Sequence, residues 1–337
     1  MTVSIFNEPH AQTATTQAQL VVLLQRTIDQ VLRPLLAGRP SVALLGFPNY
    51  ANVGDSAIWL GTIAYLRSLG IAPRYECDHA TYSRQRLAQR IGDGVILLQG
   101  GGNLGDLWEL HQPFREAVVD AFHDNPIIQL PQSICFQEQA ALAGARAVFN
   151  RHPNLTLLVR DQQSLTIARN EFRACSLLCP DMAFSLGLLP RPAAARRAVV
   201  WLARSDRESA PTSLPPAGAG IEPVDWLTER APVLRLARWL GRRSRLHAPL
   251  SWSYDWLARQ RLQRGCRVLS SGCVAITDRL HGHILCLLLG IPHVLLDNSY
   301  GKVRSFYATW TRGCELVRWA ESGSDAMRLA GELAGMP

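Results

Sequence analysis

A chain of 337 residues with 47% hydrophobic and 18% charged residues is long enough for two cores and too apolar for a disordered polyelectrolyte. The formal net charge of +8 comes from arginine, Lys302 being the one lysine. Genome composition alone can produce that bias, but a basic protein also suits anionic small molecules, nucleic acid or an anionic membrane surface.

Residues 17–36 have the spacing of an amphipathic helix ending near Gly38. SVALLG (41–46), RYEC, VILLQG, IIQLPQ, LTLLVR and SLLCPD then follow as short apolar runs of strand length. Helix-like segments such as SAIWLGTIAYLRSLG (56–70) separate most of them. This alternation predicts a doubly wound parallel sheet, covered by helices on both faces, over residues 1–190. LPRPAAARR (189–197) reads as a linker. A second set begins with AVVWLA (198–203), passes through the Pro- and Gly-rich loop PTSLPPAGAG (211–220), and continues into a helix, WSYDWLARQRLQRG, capped by Gly265. VAIT and PHVLLD flank a helix at 281–289. Residues 198–337 thus form a second, smaller α/β domain, and a cleft is expected between the two.

Eight cysteines lie without CxxC pairs or metal-ligand spacing and read as free thiols in a reducing cytoplasm. The N-terminus lacks a signal-peptide pattern, and no uncharged apolar run reaches the roughly 20 residues that span a bilayer. No nucleic-acid-binding module or basic–aromatic periodicity accompanies the arginines.

Ligands of open α/β sheets bind beyond the carboxyl ends of the strands. GGGN (100–103) with Gly105 follows a strand, and glycines let backbone N–H groups approach an anion, helped by the N-terminus of the next helix. It is neither a Walker A loop nor a GxGxxG fingerprint. NVGDSAIW places Asn52 and Asp55 before a helix, where capping accounts for part of the cluster. His111, Arg115 and His123 follow the glycine turn, His111 nearest to it. Arg160, Arg204 and Arg279 each stand at or just past a strand end, and arginine holds carboxylate and phosphate bidentately. His281, two residues past Arg279, can exchange protons near neutral pH.

In this order NVGDSAIW, LLQGGGNLGDLW, LPQSICF, VRDQQS, PDMAF and TDRLHGHILCLLLGIPHVLLDNSYGK resemble the polysaccharide pyruvyl transferase family, over about residues 41–310. The resemblance implies two Rossmann-like domains facing a cleft, as in GT-B glycosyltransferases. It implies phosphoenolpyruvate as donor, a sugar with two hydroxyls as acceptor, often lipid-linked, and a cyclic pyruvate ketal as product. No cofactor or metal is implied. The family's Arg-x-His segment falls on Arg279, Leu280 and His281. Many members carry His where this chain has Cys135. The catalytic candidates are then His281, Arg279 and His111. The donor would be held by Arg160, Arg204, Gly101, Gly102, Asn103 and Lys302, and the acceptor by Asn52, Asp55 and Asp106. A lipid-linked acceptor would bring a cytoplasmic protein to the inner face of the membrane, and the Arg- and Trp-containing stretch 235–264 is the candidate contact. The rival readings are a GT-B glycosyltransferase with a nucleotide-sugar donor and a non-catalytic scaffold in polysaccharide assembly.

Overall fold

The structure, a computed structural model, describes residues 15–39, 41–227 and 250–335. The first strands are β1 (Val42–Leu45), β2 (Tyr75–Cys77), β3 (Val95–Leu98), β4 (Gly101–Gly105), β5 (Ile127–Cys135), β6 (Leu155–Val159) and β7 (Cys175–Leu178). They form one sheet in the order β2-β1-β3-β5-β6-β7, with β4 beside the later half of β5. The second sheet contains β8 (Arg197–Leu202), β9 (Gly272–Thr277), β10 (His293–Leu295) and β11 (Val317–Trp319), in the order β11-β10-β9-β8. Every strand pair in both sheets is parallel. This is the α/β class that the alternating pattern predicts.

The strands are apolar on both faces because both faces are covered. Along β1, Val42 and Leu44 enter one core and Ala43 and Leu45 another, as a period of two requires. The outer core of the first sheet is closed by α3 (Arg84–Ile91), α4 (His111–Ala121), α5 (Gln139–Phe149) and α6 (Gln162–Glu171). The inner core is shared. Helices α1 (Gln17–Leu36), α2 (Val53–Ser68), α7 (Leu250–Ser270) and α8 (Leu280–Leu289) lie between Leu44, Leu97 and Leu130 of the first sheet and Val200, Ala275 and Leu295 of the second. The far face of the second sheet is covered by α10 (Gly323–Ala334). The remaining helix, α9 (Lys302–Phe306), is one short turn after β10.

Helix α1 is amphipathic and starts with a Thr16–Gln19 capping box. By contrast α2 and α8 are buried almost all round, as central helices must be. Each fully buried Leu or Ile of α8 contributes about 1.5–3 kcal/mol. Gly290 ends α8 in the left-handed conformation.

Two local expectations differ from the structure. Gly265 does not cap a helix, since α7 runs on to Ser270. A Cβ at Gly265 would stand 2.3 Å from Val53 Cγ1, so this glycine lets α7 pack closely on the start of α2. The glycine turn does not lead straight into a helix either. Residues 101–105 continue as β4 beside β5, and α4 begins only at His111, so the turn does not run into the N-terminus of the next helix. Cβ atoms at Gly100 and Gly105 would lie 2.7 Å from Pro131 O and 1.7 Å from Cys135 O, so those two glycines serve strand packing.

Candidate active site

Carboxyl ends of strands from both sheets meet at one place. Arg160 follows β6, Arg204 follows β8, Arg279 follows β9 and Lys302 opens the helix after β10. All four are buried, at 1%, 8%, 3% and 6% exposure, so each cation must be compensated locally. Arg160 donates from Nη1 to Asp181 Oδ2 at 2.7 Å and from Nε to Ser133 Oγ at 3.0 Å. Arg204 makes a fork of 2.9 and 3.0 Å onto Asp206 and reaches Glu208 Oε2 at 3.0 Å. Arg279 donates from Nη2 to Asp225 at 2.7 Å and to Asp206 at 3.4 Å, and its Nε is buried with no partner among the described residues. Lys302 Nζ bonds Glu208, which also accepts from Asn298 Nδ2 at 3.2 Å and Trp108 Nε1 at 3.3 Å.

The protonation states follow from this crowding. Burial alone would raise the Asp181 carboxyl, but His281 and then Arg160 hold it well below the usual carboxylate range. Burial likewise opposes ionisation of Glu208, and Lys302 and Arg204 outweigh it, lowering its pKa. For Lys302 burial prevails over the pull of Glu208, and with Arg204 and Arg160 nearby the ammonium falls to about 8. Asp278 moves up through burial, although it accepts from Ser213 Oγ and Arg204 N.

His281 lies at the start of α8, 3.4 Å from Asp181 Oδ2 through Nε2. That is ion-pair reach without hydrogen-bond geometry. The ring rests on the first turn of α2, where a Cβ at Gly54 would be 2.3 Å from its Nδ1. The NVGDS segment thus brings two candidates to this point. Asn52 caps α2 by accepting from Gly54 N at 3.0 Å and donates to Asp55 Oδ2 at 2.9 Å. Tyr50 donates to the same oxygen at 2.8 Å, and Asp55 Oδ1 is 3.3 Å from where a Gly101 Cβ would stand. Beside it, the corresponding point on Gly102 is 2.9 Å from Arg160 Nη2 and 3.2 Å from Lys302 Nζ. Asn103 is fixed by Arg115 and Gln132, each donating to its Oδ1 at 2.8 Å.

The structure therefore gathers Arg160, Arg204, Arg279, His281, Lys302, Gly101, Gly102, Asn103, Asn52 and Asp55 around one point. Asp106 is turned elsewhere: its carboxylate accepts from Gln137 N and Glu138 N at 2.7–3.0 Å and shapes the loop before α5. His111 packs edge-on to Tyr50 and His79, and burial brings its pKa to about 3. A ring held neutral suits hydrogen bonding better than proton donation. The sequence reading passed over Asp181, Asp206, Glu208, Asp225 and Tyr300. Asp181 and Asp206 stand three and four residues past the ends of β7 and β8, and that position is their signal in the sequence. Among the described residues, no three His, Cys, Asp or Glu side chains assemble as a metal would need, and all eight cysteines are free thiols.

The protein is thus an α/β protein whose two parallel sheets bring strand ends together at a buried, arginine-rich site. The model of the polysaccharide pyruvyl transferase family matches residues 52–300, and the chain belongs to that family. It is 36% identical over 301 residues to pyruvyl transferase 1 of Schizosaccharomyces pombe, covering 83% of this chain and 72% of that one. It is 31% identical over 288 residues to EpsO of Bacillus subtilis, covering 82% and 88%. A functionally uncharacterised protein of Klebsiella pneumoniae shares the fold with a TM-score of 0.59 at 17% identity, covering 89% of this chain and 99% of its own.

Proposed function

We propose that the protein transfers the pyruvyl group of phosphoenolpyruvate onto two hydroxyls of a sugar in a polysaccharide precursor, forming a cyclic ketal and releasing phosphate. The observation that carries this reading is the convergence of Arg160, Arg204, Arg279 and Lys302 on one site with His281 among them. Phosphoenolpyruvate bears a carboxylate and a phosphate on adjacent atoms, and arginine forks with an ammonium complement both. His281 protonates the terminal carbon, which generates an oxocarbenium-like centre. Asp181 orients the ring and offers the imidazolium an anionic partner. One acceptor hydroxyl adds, phosphate leaves, and the second hydroxyl closes the ring. Asp55, held by Tyr50 and Asn52 over Gly101, is placed to receive a hydroxyl proton. The scheme calls for no metal or organic cofactor.

Two Rossmann-like units arranged as in GT-B glycosyltransferases are part of this reading, supported by two all-parallel sheets that share one site. A cytoplasmic setting with a lipid-linked acceptor at the membrane surface is also part of it. No helix among the described residues is long and apolar enough to cross a membrane. Half of the Arg- and Trp-containing candidate contact, residues 235–249, lies outside the described residues, while Trp252 is 72% exposed. Co-sedimentation with anionic vesicles but not with neutral ones is the expected result, and equal recovery in both supernatants would remove the membrane contact.

The test is donor consumption. Purified protein with phosphoenolpyruvate and a panel of free and lipid-linked oligosaccharides should release phosphate in step with a pyruvyl mass gain on the sugar. Consumption of a nucleotide sugar instead would replace this reading with the glycosyltransferase one.

A further inference from the structure

The glycine turn gathers more donors than the scheme above uses. The point where a Cβ of Gly102 would stand lies 2.9 Å from Arg160 Nη2, 3.2 Å from Lys302 Nζ and 3.9 Å from Tyr300 Oη. Three hydrogen-bond donors converge on one face of one residue, and each has capacity left. Arg160 uses Nη1 on Asp181 and Nε on Ser133, and Nη2 meets no acceptor among the described residues. Lys302 has three N–H bonds and uses one, on Glu208. Tyr300 Oη is buried and has no hydrogen-bond partner among the described residues. A buried donor without an acceptor is costly, and a ligand that supplies the acceptor accounts for it.

We propose that Tyr300, Lys302 and Nη2 of Arg160 form the phosphate subsite of this cleft, holding the tetrahedral oxyanion over Gly102, and that Lys302 supplies the proton with which phosphate departs. The inference rests on the pyruvyl transfer reading for the donor's identity. Glu208 then has a second meaning. Its buried carboxylate satisfies Lys302 and Arg204 in the free protein, and a phosphate oxygen would take over that contact.

The step balances. Once the first acceptor hydroxyl has added, the bond between the ketal carbon and the bridging oxygen breaks, and its electron pair stays on that oxygen. Unaided, phosphate would leave as a trianion. A proton from the Lys302 ammonium passes to the bridging oxygen, hydrogen phosphate leaves, and the neutral amine regains a proton from water. Over the whole reaction the two acceptor hydroxyls lose two protons, while the donor carbon and the phosphate gain one each. An ammonium at about 8 is protonated near neutral pH and yet able to release its proton. Burial, followed by Glu208, keeps the Tyr300 hydroxyl well above its usual range, so it serves as a hydrogen-bond donor and not as the acid. The ionisable groups facing Lys302 are Glu208 and Arg204 from the loop after β8, Arg160 from the end of β6, Cys135 from the end of β5, and Tyr300.

Tyr300→Phe tests the subsite cleanly, because it deletes an atom that bonds nothing in the free protein. Its melting temperature should equal or exceed the parent's. By calorimetry, its affinity for inorganic phosphate and for phosphoenolpyruvate should fall at least about 10-fold, the usual loss for a bond to a charged group, with pyruvate affinity unchanged. A lowered melting temperature would make the hydroxyl structural and overturn the subsite, as would parent-like binding of both phosphates. Lys302→Arg keeps the charge and removes the acid: phosphoenolpyruvate should bind within a few-fold of the parent while turnover drops by about 10²-fold or more. Parent-like turnover would overturn the proton transfer. A parent enzyme that binds inorganic phosphate through Tyr300 but never consumes phosphoenolpyruvate would support the subsite and overturn the pyruvyl transfer reading, so the two failures are distinguishable.

Discussion

His281 and His283 lie two residues apart at the start of α8 and meet opposite surroundings. His283 belongs to a closed chain. His293 Nδ1 donates to Ile291 O at 2.8 Å, which leaves its Nε2 as acceptor for His283 Nδ1–H at 2.7 Å. His283 Nε2 in turn accepts from Thr311 Oγ1 at 2.9 Å. Both rings are fully buried and neutral, and every ring nitrogen has a partner. Around His281 the account does not close. Among the described residues its Nε2, Arg279 Nε and Tyr300 Oη lack hydrogen-bond partners, and four cations face carboxylates borne partly on the loop segment 205–225. A satisfied buried network fixes structure, whereas an unsatisfied one costs stability and is explained by a ligand. The contrast assigns His283 and His293 to the scaffold and leaves His281 available for the role proposed for it.

The largest effect that sharpens this contrast is expected at His281. His281→Gln should lower turnover by about 10²–10⁴-fold and leave phosphoenolpyruvate affinity near the parent's, the pattern of a lost general acid. Steady-state kinetics with a direct binding measurement decides it. Lost binding with an intact single-turnover rate would make His281 a clamp. Gly54→Ala comes next. The new Cβ would meet Nδ1 at 2.3 Å, so the ring must move, and a shift of about 1 Å costs on the order of 10²-fold. Kinetics beside a melting curve check it: unchanged activity would mean that the ring position is not critical. Arg279→Lys keeps the charge but loses the fork and should weaken donor use by about 10- to 150-fold. A variant within twofold of the parent would remove Arg279 from the donor site.

The smallest effect breaks the contrast from the scaffold side. Burial, with His293 adding to it, takes the His283 pKa well below its usual value, and burial takes that of His293 to about 4. Their neutral forms are favoured in the folded state, so the unfolded chain binds more protons as pH falls. The stability they contribute is complete above about 6.5 and is lost as pH falls from there through about 4. The slope is at most about 1.4 kcal/mol per pH unit for each ring. Urea unfolding between pH 7.5 and 5 should show this decline, and a flat midpoint over that range would contradict the closed chain.

Much of this was legible in the sequence because strands and central helices advertise burial through apolar runs, and because Arg279 and His281 interrupt such a run at a strand end. What the sequence hid is long-range compensation. Glu208 finds Lys302 across 94 residues and Asp225 finds Arg279 across 54, and no local spacing encodes either meeting. Gly265 misled for a related reason: its helix-breaking tendency is local, while the approach of Val53 that requires it comes from another part of the chain. At 100–105 the glycines are divided between strand packing and the site, and composition does not separate the two uses.

The central claim is that the unsatisfied cluster at the strand ends receives the donor. Determining the structure with phosphoenolpyruvate bound tests it most directly. The account predicts phosphate against Arg160, Lys302 and Tyr300 over Gly102, the carboxylate within reach of Arg279, His281 facing the terminal carbon, and the Lys302–Glu208 contact opened. The opposite end of the first sheet carries an open groove of about 880 Å³, lined in part by Arg39, His152 and Arg173. Donor seated in that groove, with every ion pair around Arg204, Arg279 and Lys302 intact, would contradict the account.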